Sequence, residues 1–485
     1  MPRSPMKRVC PVLLAFLGMI LLLPIRPVWA VTYAYIPGFD GVVRVNTNNP
    51  TDAVTFTFTD PACRPFGAAV APDGSFVIVT CAGEGQNRIF FLDDSHFSAE
   101  PDAPTPVNVG VRPRGVAVAP GGDFAYVTNS GSDTVAGDES VSVINTATRA
   151  VTATIPIGDS SSGVFGDGPL GVAAVASGDQ VKVYVANNLR RSVSVITDDG
   201  TPEVTIAGLA VGNEPIGVAA TPDGRHVFVA NNGSDSVSVI RTSTDEVVFT
   251  LINAGPGPWG VAVGSRGDFL FVTNSDDDIS GRFNRVTVFP INNDAVVTFS
   301  SPRQVTVGTQ PLGVAAPING DFAYVINQGP EADPVSTISE IDITADPPVA
   351  TTVDLGPAGI QAAFALGAFI GGAPPVAPSA LSGTAGSFDR IDLTWTDNSD
   401  DELGFIIERR VQGSADFIQI VETPPNATSY TDVSVTSETT YEYRIRTLNE
   451  TSFSAYATSS AVTTPEGEFH WCFIGTITAG VFGIR

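Results

Sequence analysis

Pro215-Ile-Gly-Val-Ala-Ala-Thr-Pro-Asp-Gly-Arg-His-Val-Phe-Val-Ala-Asn-Asn-Gly-Ser-Asp-Ser-Val-Ser-Val-Ile240 is one copy of a unit that recurs along a chain of 485 residues. It reads as three short strands. Gly217–Ala220 is small and apolar and ends at the turn Pro222-Asp223-Gly224. Val227–Ala230 ends at a second turn, Asn231-Asn232-Gly233-Ser234-Asp235, and Val237–Ile240 alternates valine with serine as a half-buried strand does. The spacer before the next copy is long enough for a fourth, outer strand. A four-stranded antiparallel sheet cannot cover both of its own faces, so neighbouring copies must pack face to face around an axis.

The Pro-x-Gly start recurs at Pro65, Pro113, Pro169, Pro215, Pro258 and Pro311, with a degenerate seventh at Pro357-Ala358-Gly359. Only Ile360–Phe369 follows that last start before the composition changes. The missing strands lie at the other end, where Thr32–Ile36 and Val42–Val45 resemble the second and third strands of a copy. The repeat therefore predicts an all-β fold, a seven-bladed β-propeller over residues 31–370. Its closing blade takes its innermost strand from the C-terminal end, which leaves no open sheet edge.

Tyr126-Val-Thr-Asn129, Tyr184-Val-Ala-Asn187, Phe228-Val-Ala-Asn231 and Phe271-Val-Thr-Asn274 resemble the Tyr-Val-Thr-Asn repeat propellers of bacterial secreted and archaeal surface-layer proteins. The resemblance implies the fold and little about activity, because propellers host many unrelated functions. It breaks in the first full copy, where Cys81 stands in the asparagine place.

Residues 1–30 read as an export signal: Arg3, Lys7 and Arg8, the apolar run Val12–Leu23, and the small-residue site Val28-Trp29-Ala30. The protein is thus expected outside the cell, with no transmembrane span once the signal is removed. The whole chain has a net charge of −26. Without its first 30 residues it keeps 21 Lys+Arg against 51 Asp+Glu, and Lys182 is its only lysine. Such a chain repels nucleic acid. The apolar fraction of 43% is ample for large cores.

Cys63 precedes the first strand of its copy and Cys81 ends the second. Antiparallel pairing brings those ends together, and an exported chain can oxidise them to a disulfide; the alternative is two buried thiols. The long loops cluster on the Pro-x-Gly face. They carry Asp133, Asp138, Glu139, Asp159, Asp167, Asp276, Asp277, Asp278, Glu331 and Asp333, read either as solvated turn residues or as ligands for calcium or a cationic group. Asp276, Asp277 and Asp278 are the metal candidates, with calcium as the cofactor; Asp133 and Asp138 are candidates for ligand contact. The residue inside each Pro-x-Gly should rim the channel mouth: Phe66, Arg114, Leu170, Ile216, Trp259, Leu312 and Ala358. Arg114 and Trp259, with Arg112 before Pro113, could hold an anionic or sugar-like ligand. The plainer reading packs Trp259 between blades and pairs the arginines with nearby acids.

Catalytic chemistry is thinly supplied. His226 aligns with Phe124 and Phe269 as a strand residue, His96 sits in Asp93-Asp-Ser-His96 as a metal candidate, and His470 is in the tail. No nucleophile elbow or metalloprotease motif occurs. Arg266-Gly267-Asp268 falls where other copies have a hairpin turn, which explains it without adhesion.

Residues 371–378 read as a linker rich in proline and small residues. Residues 379–465 read as a second all-β domain, a sandwich. Asp392-Leu-Thr-Trp395 and Thr440-Tyr-Glu-Tyr-Arg-Ile-Arg446 resemble a fibronectin type III module, which implies Trp395 as core tryptophan and Tyr441 as tyrosine-corner residue. Asp397–Glu402 is a further acidic loop that could take calcium. In the tail, 466–485, Cys472-Phe-Ile474 resembles the Cys-Phe-Ile box of bacterial exported proteins, which implies sorting or anchoring.

The sequence thus points to an exported, monomeric binding or cell-surface protein that takes an extracellular glycan, protein or other ligand on the loop face and does no catalysis. Two alternatives stand beside it: a metal-assisted lactonase or lyase, and a surface-layer or matrix component.

Overall fold

The computed structural model describes residues 33–466 apart from 39, 48, 50–51, 99–102, 132–138, 158–167, 178–179, 265–267, 276–283, 292–301, 317–321, 330–336, 346, 356–366, 368, 372–374, 400–401, 415–416, 449–453 and 455. The export signal, the Arg266-Gly267 pair and the Cys-Phe-Ile tail lie outside the described residues.

Each full copy folds as its pattern dictates. In the copy quoted above, Pro215–Ala220, His226–Asn231, Ser236–Arg241 and Glu246–Ile252 form one antiparallel sheet in chain order. The strand begins at the proline in all six full copies: Pro65–Val70, Pro113–Val118, Pro169–Ser177, Pro215–Ala220, Pro258–Val263 and Pro311–Ala315. Proline is tolerated there because a strand's first residue need not donate to the ladder. We number these sheets blades 1 to 6. Blade 7 combines Tyr33–Gly38, Gly41–Asn46 and Ala53–Thr57 with Ile370–Gly371 from the far end of the repeats. Tyr33 pairs with Gly371, and Tyr35 N–H donates to Phe369 O at 2.8 Å. Gly371 therefore belongs to a strand, and the linker starts after it rather than at it. Pro357–Gly359 lies outside the described residues.

The sheets pack face to face through their apolar sides. Tyr35, Phe56, Val79, Phe90, Tyr324 and Phe369 belong to one core that joins blades 6, 7 and 1. The inner strands of successive blades touch one another around the axis, and the whole is a β-propeller. Two threonine-based features fix that contact. Thr80, Thr128 and Thr273 accept from the Pro-x-Gly glycine N–H of their own blade, each at 2.8 Å. Each then donates at 2.7 Å to the carbonyl of the residue inside the next Pro-x-Gly: Arg114, Leu170 and Leu312. A Cβ on Gly115 or Gly260 would collide with that same next-blade carbonyl, so only glycine fits.

After the propeller come two smaller sheets. Ser379–Ser387, Arg390–Thr396 and Ser429–Asp432 form one; Ile418–Thr423, Gly404–Val411, Thr440–Leu448 and Ala457–Thr458 form the other, with Val462–Thr463 also on Thr440–Leu448. Ile391, Leu393, Trp395, Phe405, Ile407, Tyr443 and Ile445 fill the space between them.

Candidate functional site: the propeller mouth

The residue before each Pro-x-Gly proline sets the rim. Arg64, Arg112, Gly168, Glu214, Gly257 and Gln310 all take left-handed backbone, with φ between 45° for Arg64 and 56° for Arg112. That conformation costs a residue with a side chain about 1 kcal/mol. It is held because each carbonyl turns to accept the N–H that follows the blade's second strand, for example Ser130 N to Arg112 O at 3.1 Å and Asn232 N to Glu214 O at 3.0 Å.

Inside that rim the Pro-x-Gly side chains meet across the axis. Phe66 and Ile216, from blades on opposite sides of the ring, are buried against each other, with Leu170, Trp259 and Ala82 packed on them. Arg114 is half-buried, and its guanidinium carbon lies 4.7 Å from the centre of the Phe66 ring. Trp259 is accordingly half-buried in an apolar plug rather than standing alone at the rim. The sequence offered packing as the plainer reading of Trp259 but could not name Phe66 and Ile216 as its partners, since the contact joins blades far apart in the chain. Arg112 is half-buried in the rim beside it. The arrangement offers one stacked cation set in an apolar floor, which suits an anionic group carried on an apolar or sugar-like body.

Asp133, Asp138, Asp159, Asp167, Asp276, Asp277, Asp278, Glu331, Asp333 and Ala358 lie outside the described residues. Glu139 is described and is 2% exposed, so it is not a solvated turn residue. Among the described residues no three His, Cys, Asp or Glu side chains converge as a metal site would require.

Cys63 and Cys81 are joined as a disulfide at the edge of the mouth, with Cα atoms 4.5 Å apart. His96 is 6% exposed; its Nδ1 lies 2.9 Å from Asp93 Oδ1 and 3.1 Å from the Asp93 N–H, and its ring packs edge-on against Phe56. It is the hinge of a short 3-10 helix, Asp94–Phe97, that reaches from blade 1 onto blade 7 and buries Phe97 in that core. Burial pushes the Asp93 carboxyl up, but the Ser95 and His96 partners outweigh it and hold it below the usual carboxylate range. This is a structural role, and no metal geometry goes with it. His226 is buried in its strand. Neither residue faces the mouth cluster.

A family model described as "Lactonase, 7-bladed beta-propeller" matches residues 62–263. No curated protein matches the sequence. Among solved structures, the chain resembles a protein from Lactobacillus plantarum at 15% identity and TM-score 0.47, covering 71% of this chain and 98% of that one. It resembles Kuenenia stuttgartiensis hydrazine synthase at 22% identity and TM-score 0.45, covering 59% and 78%. It also resembles the dihydro-heme d1 dehydrogenase NirN at 15% identity and TM-score 0.44, covering 85% and 78%. The family match and the sheets together make the repeat region a β-propeller.

Proposed function

We propose that the chain is an exported protein that binds an anionic or sugar-like extracellular ligand at the Pro-x-Gly mouth of the propeller. The carrying observation is Arg114 stacked on Phe66 beside the half-buried Trp259 and Leu170. Arg114 would take the anionic group, and the apolar floor would take the body of the ligand. None of the six described Pro-x-Gly side chains is a carboxylate, an imidazole or a nucleophile, which favours binding over turnover. Export rests on residues 1–30. The Tyr-Val-Thr-Asn reading of residues 31–370 is supported by the shared hydrogen bonds of the asparagine and threonine positions. The fibronectin type III reading of 379–465 is supported by two contacts. Trp395 is 5% exposed in the sandwich core, and the Tyr441 hydroxyl accepts from Thr436 N–H at 3.0 Å, as a tyrosine corner does. We take the sandwich as a spacer that presents the mouth, on a monomer.

The experiment is a glycan and protein array probed with residues 31–485 and with a variant trimmed at 129–140 and 274–285. The loop face is expected to matter: hits weaken in the trimmed variant. Hits of equal strength in both would remove those loops from the site.

A second reading follows from the lactonase-family match: a metal-assisted lactonase or lyase using acids of the loop face, Asp276, Asp277 and Asp278 first, with calcium or another divalent ion. A panel of lactones and uronides decides it. Turnover abolished by EDTA would establish the enzyme, and no turnover with added calcium would leave the binder.

A further inference from the structure

Three arginines of the mouth belong to one seam, between blades 1 and 2. Arg64 and Arg112 take the rim position of those blades; Gly168, Glu214, Gly257 and Gln310 take it in blades 3 to 6, and none of them is cationic. Arg114 is the one cation among the Pro-x-Gly side chains, and from blade 2 its guanidinium stacks on Phe66 of blade 1. The chain as a whole carries a charge of −26. Three cations gathered on two neighbouring blades therefore reverse its sign locally.

Backbone bonds tie the two rim arginines together. The Cys63–Cys81 disulfide stands directly before Arg64. Beside it, Ala82 N–H donates to Arg64 O and Gly83 N–H to Cys63 O, each at 3.1 Å. The turn that follows reaches blade 2: Gln86 N–H donates to Gly83 O at 3.0 Å, and Gln86 O accepts from Arg112 N–H at 2.7 Å. Two acids lie in the described part of this seam. Asp60 accepts from Arg88, whose Nε donates to Gln86 Oε1 at 3.1 Å, and Glu84 is exposed. A ligand with a single anionic group that takes Arg114 leaves the rim pair unused. With the mouth as the binding site, on which this inference rests, we propose that its ligand is an acidic oligosaccharide with carboxylates on successive sugars. One carboxylate lies on Arg114 above the apolar floor, and the next lies on Arg64 and Arg112 at the rim. A nucleic acid, charged along its whole length, is repelled by the acidic remainder of the molecule; a short acidic sugar chain places its charge on the seam alone.

Titration calorimetry tests this on residues 31–485, the form expected after export, with a uronic acid monomer, its dimer and a neutral disaccharide. The acidic dimer is expected to bind roughly tenfold more tightly than the monomer, because its second carboxylate is delivered at high effective concentration. Its affinity should also fall faster with added salt. Arg64→Gln and Arg112→Gln, made together, should bring the dimer to within about twofold of the monomer, and each alone should remove part of the advantage. Glutamine suits that backbone, since Gln310 holds the same position in blade 6 with φ of 51°; a thermal melt checks that the variants fold. Equal affinity for monomer and dimer in the wild type would overturn the inference and leave the mouth a single-anion site, with the rim arginines answering acids of the chain. An advantage that the double variant keeps, or a neutral disaccharide bound as tightly as the acidic one, would overturn it too. No uronate bound at all would remove the reading of the mouth itself.

Discussion

Asn231 donates both amide hydrogens to the neighbouring strand, to Ser236 Oγ at 3.1 Å and Ser238 Oγ at 3.0 Å. Asn129 does the same with Ser140 and Ser142, Asn187 with Ser192 and Ser194, and Asn327 with Thr337 and Ser339. The asparagine fills its corner so tightly that the residue three before its own blade's Pro-x-Gly proline must be glycine. A Cβ at Gly110 would stand 2.6 Å from Asn129 Cγ, and one at Gly212 would stand 2.7 Å from Asn231 Cβ. Blade 1 changes both residues together: Cys81 replaces the asparagine, Ala62 replaces the glycine, and Cys63 joins Cys81. Gly212→Ala should therefore cost about 1–3 kcal/mol by overpacking, read as a lowered midpoint in denaturant titration. An equal stability would mean the corner has slack. Reducing the disulfide should cost roughly 3 kcal/mol by loop-closure entropy, seen as a drop in thermal midpoint with reductant that Cys81→Ser reproduces without it. The serine partners and the odd cysteine were legible once the copies were aligned. The glycine's reason was not, because its approach to the asparagine about nineteen residues later appears only when the blade folds.

Blades are also tied at their outer ends. Tyr126 OH of blade 2 donates to Asp198 Oδ2 of blade 3 at 2.7 Å. Tyr184 OH and Lys182 Nζ of blade 3 both donate to Asp245 of blade 4, at 2.5 Å and 2.8 Å. Burial and then the facing aspartate push both tyrosine hydroxyls well above their usual range, so they stay protonated donors. Tyr126→Phe strands a buried carboxylate and should cost about 1–3 kcal/mol, measured by chemical unfolding; an unchanged midpoint would make the tie ornamental. In the sandwich, Asp432 accepts from Arg409 at 2.7 Å and Tyr443 at 2.9 Å. Burial pushes its carboxyl up, but Ser434, Arg409 and Tyr443 outweigh that and hold it below the ordinary range. A carboxyl lowered in the fold contributes stability above its unfolded value near 3.9, lost as pH falls through the folded value. Acid unfolding of the sandwich should therefore steepen below about pH 4, and Asp432→Asn should flatten that slope in a pH series of thermal melts. The strands themselves were legible from period and turns. The strap carrying His96 and Phe97 was not: it occurs once, so no second copy reveals what it packs against.

At the scale of the molecule, the repeat count and the borrowing of a strand across the termini follow from the sequence, because a sheet that cannot cover itself dictates a ring. The floor of the mouth does not follow, because Phe66, Ile216 and Trp259 meet only once the ring has formed. The acidity is spread over the turns. The few cations are used locally: Arg444 lies 4.4 Å from the Phe417 ring centre and 4.1 Å from that of Tyr456, and its Nε donates to Glu408 at 2.5 Å. Arg114 lies at the axis where the inner strands of the blades converge. The most direct measurement is the affinity of residues 31–485 for an acidic-sugar panel by titration calorimetry, compared with Arg114→Gln and Trp259→Ala. Binding is expected in the wild type and at least tenfold weaker in each variant. Binding that survives both substitutions at full strength would contradict it.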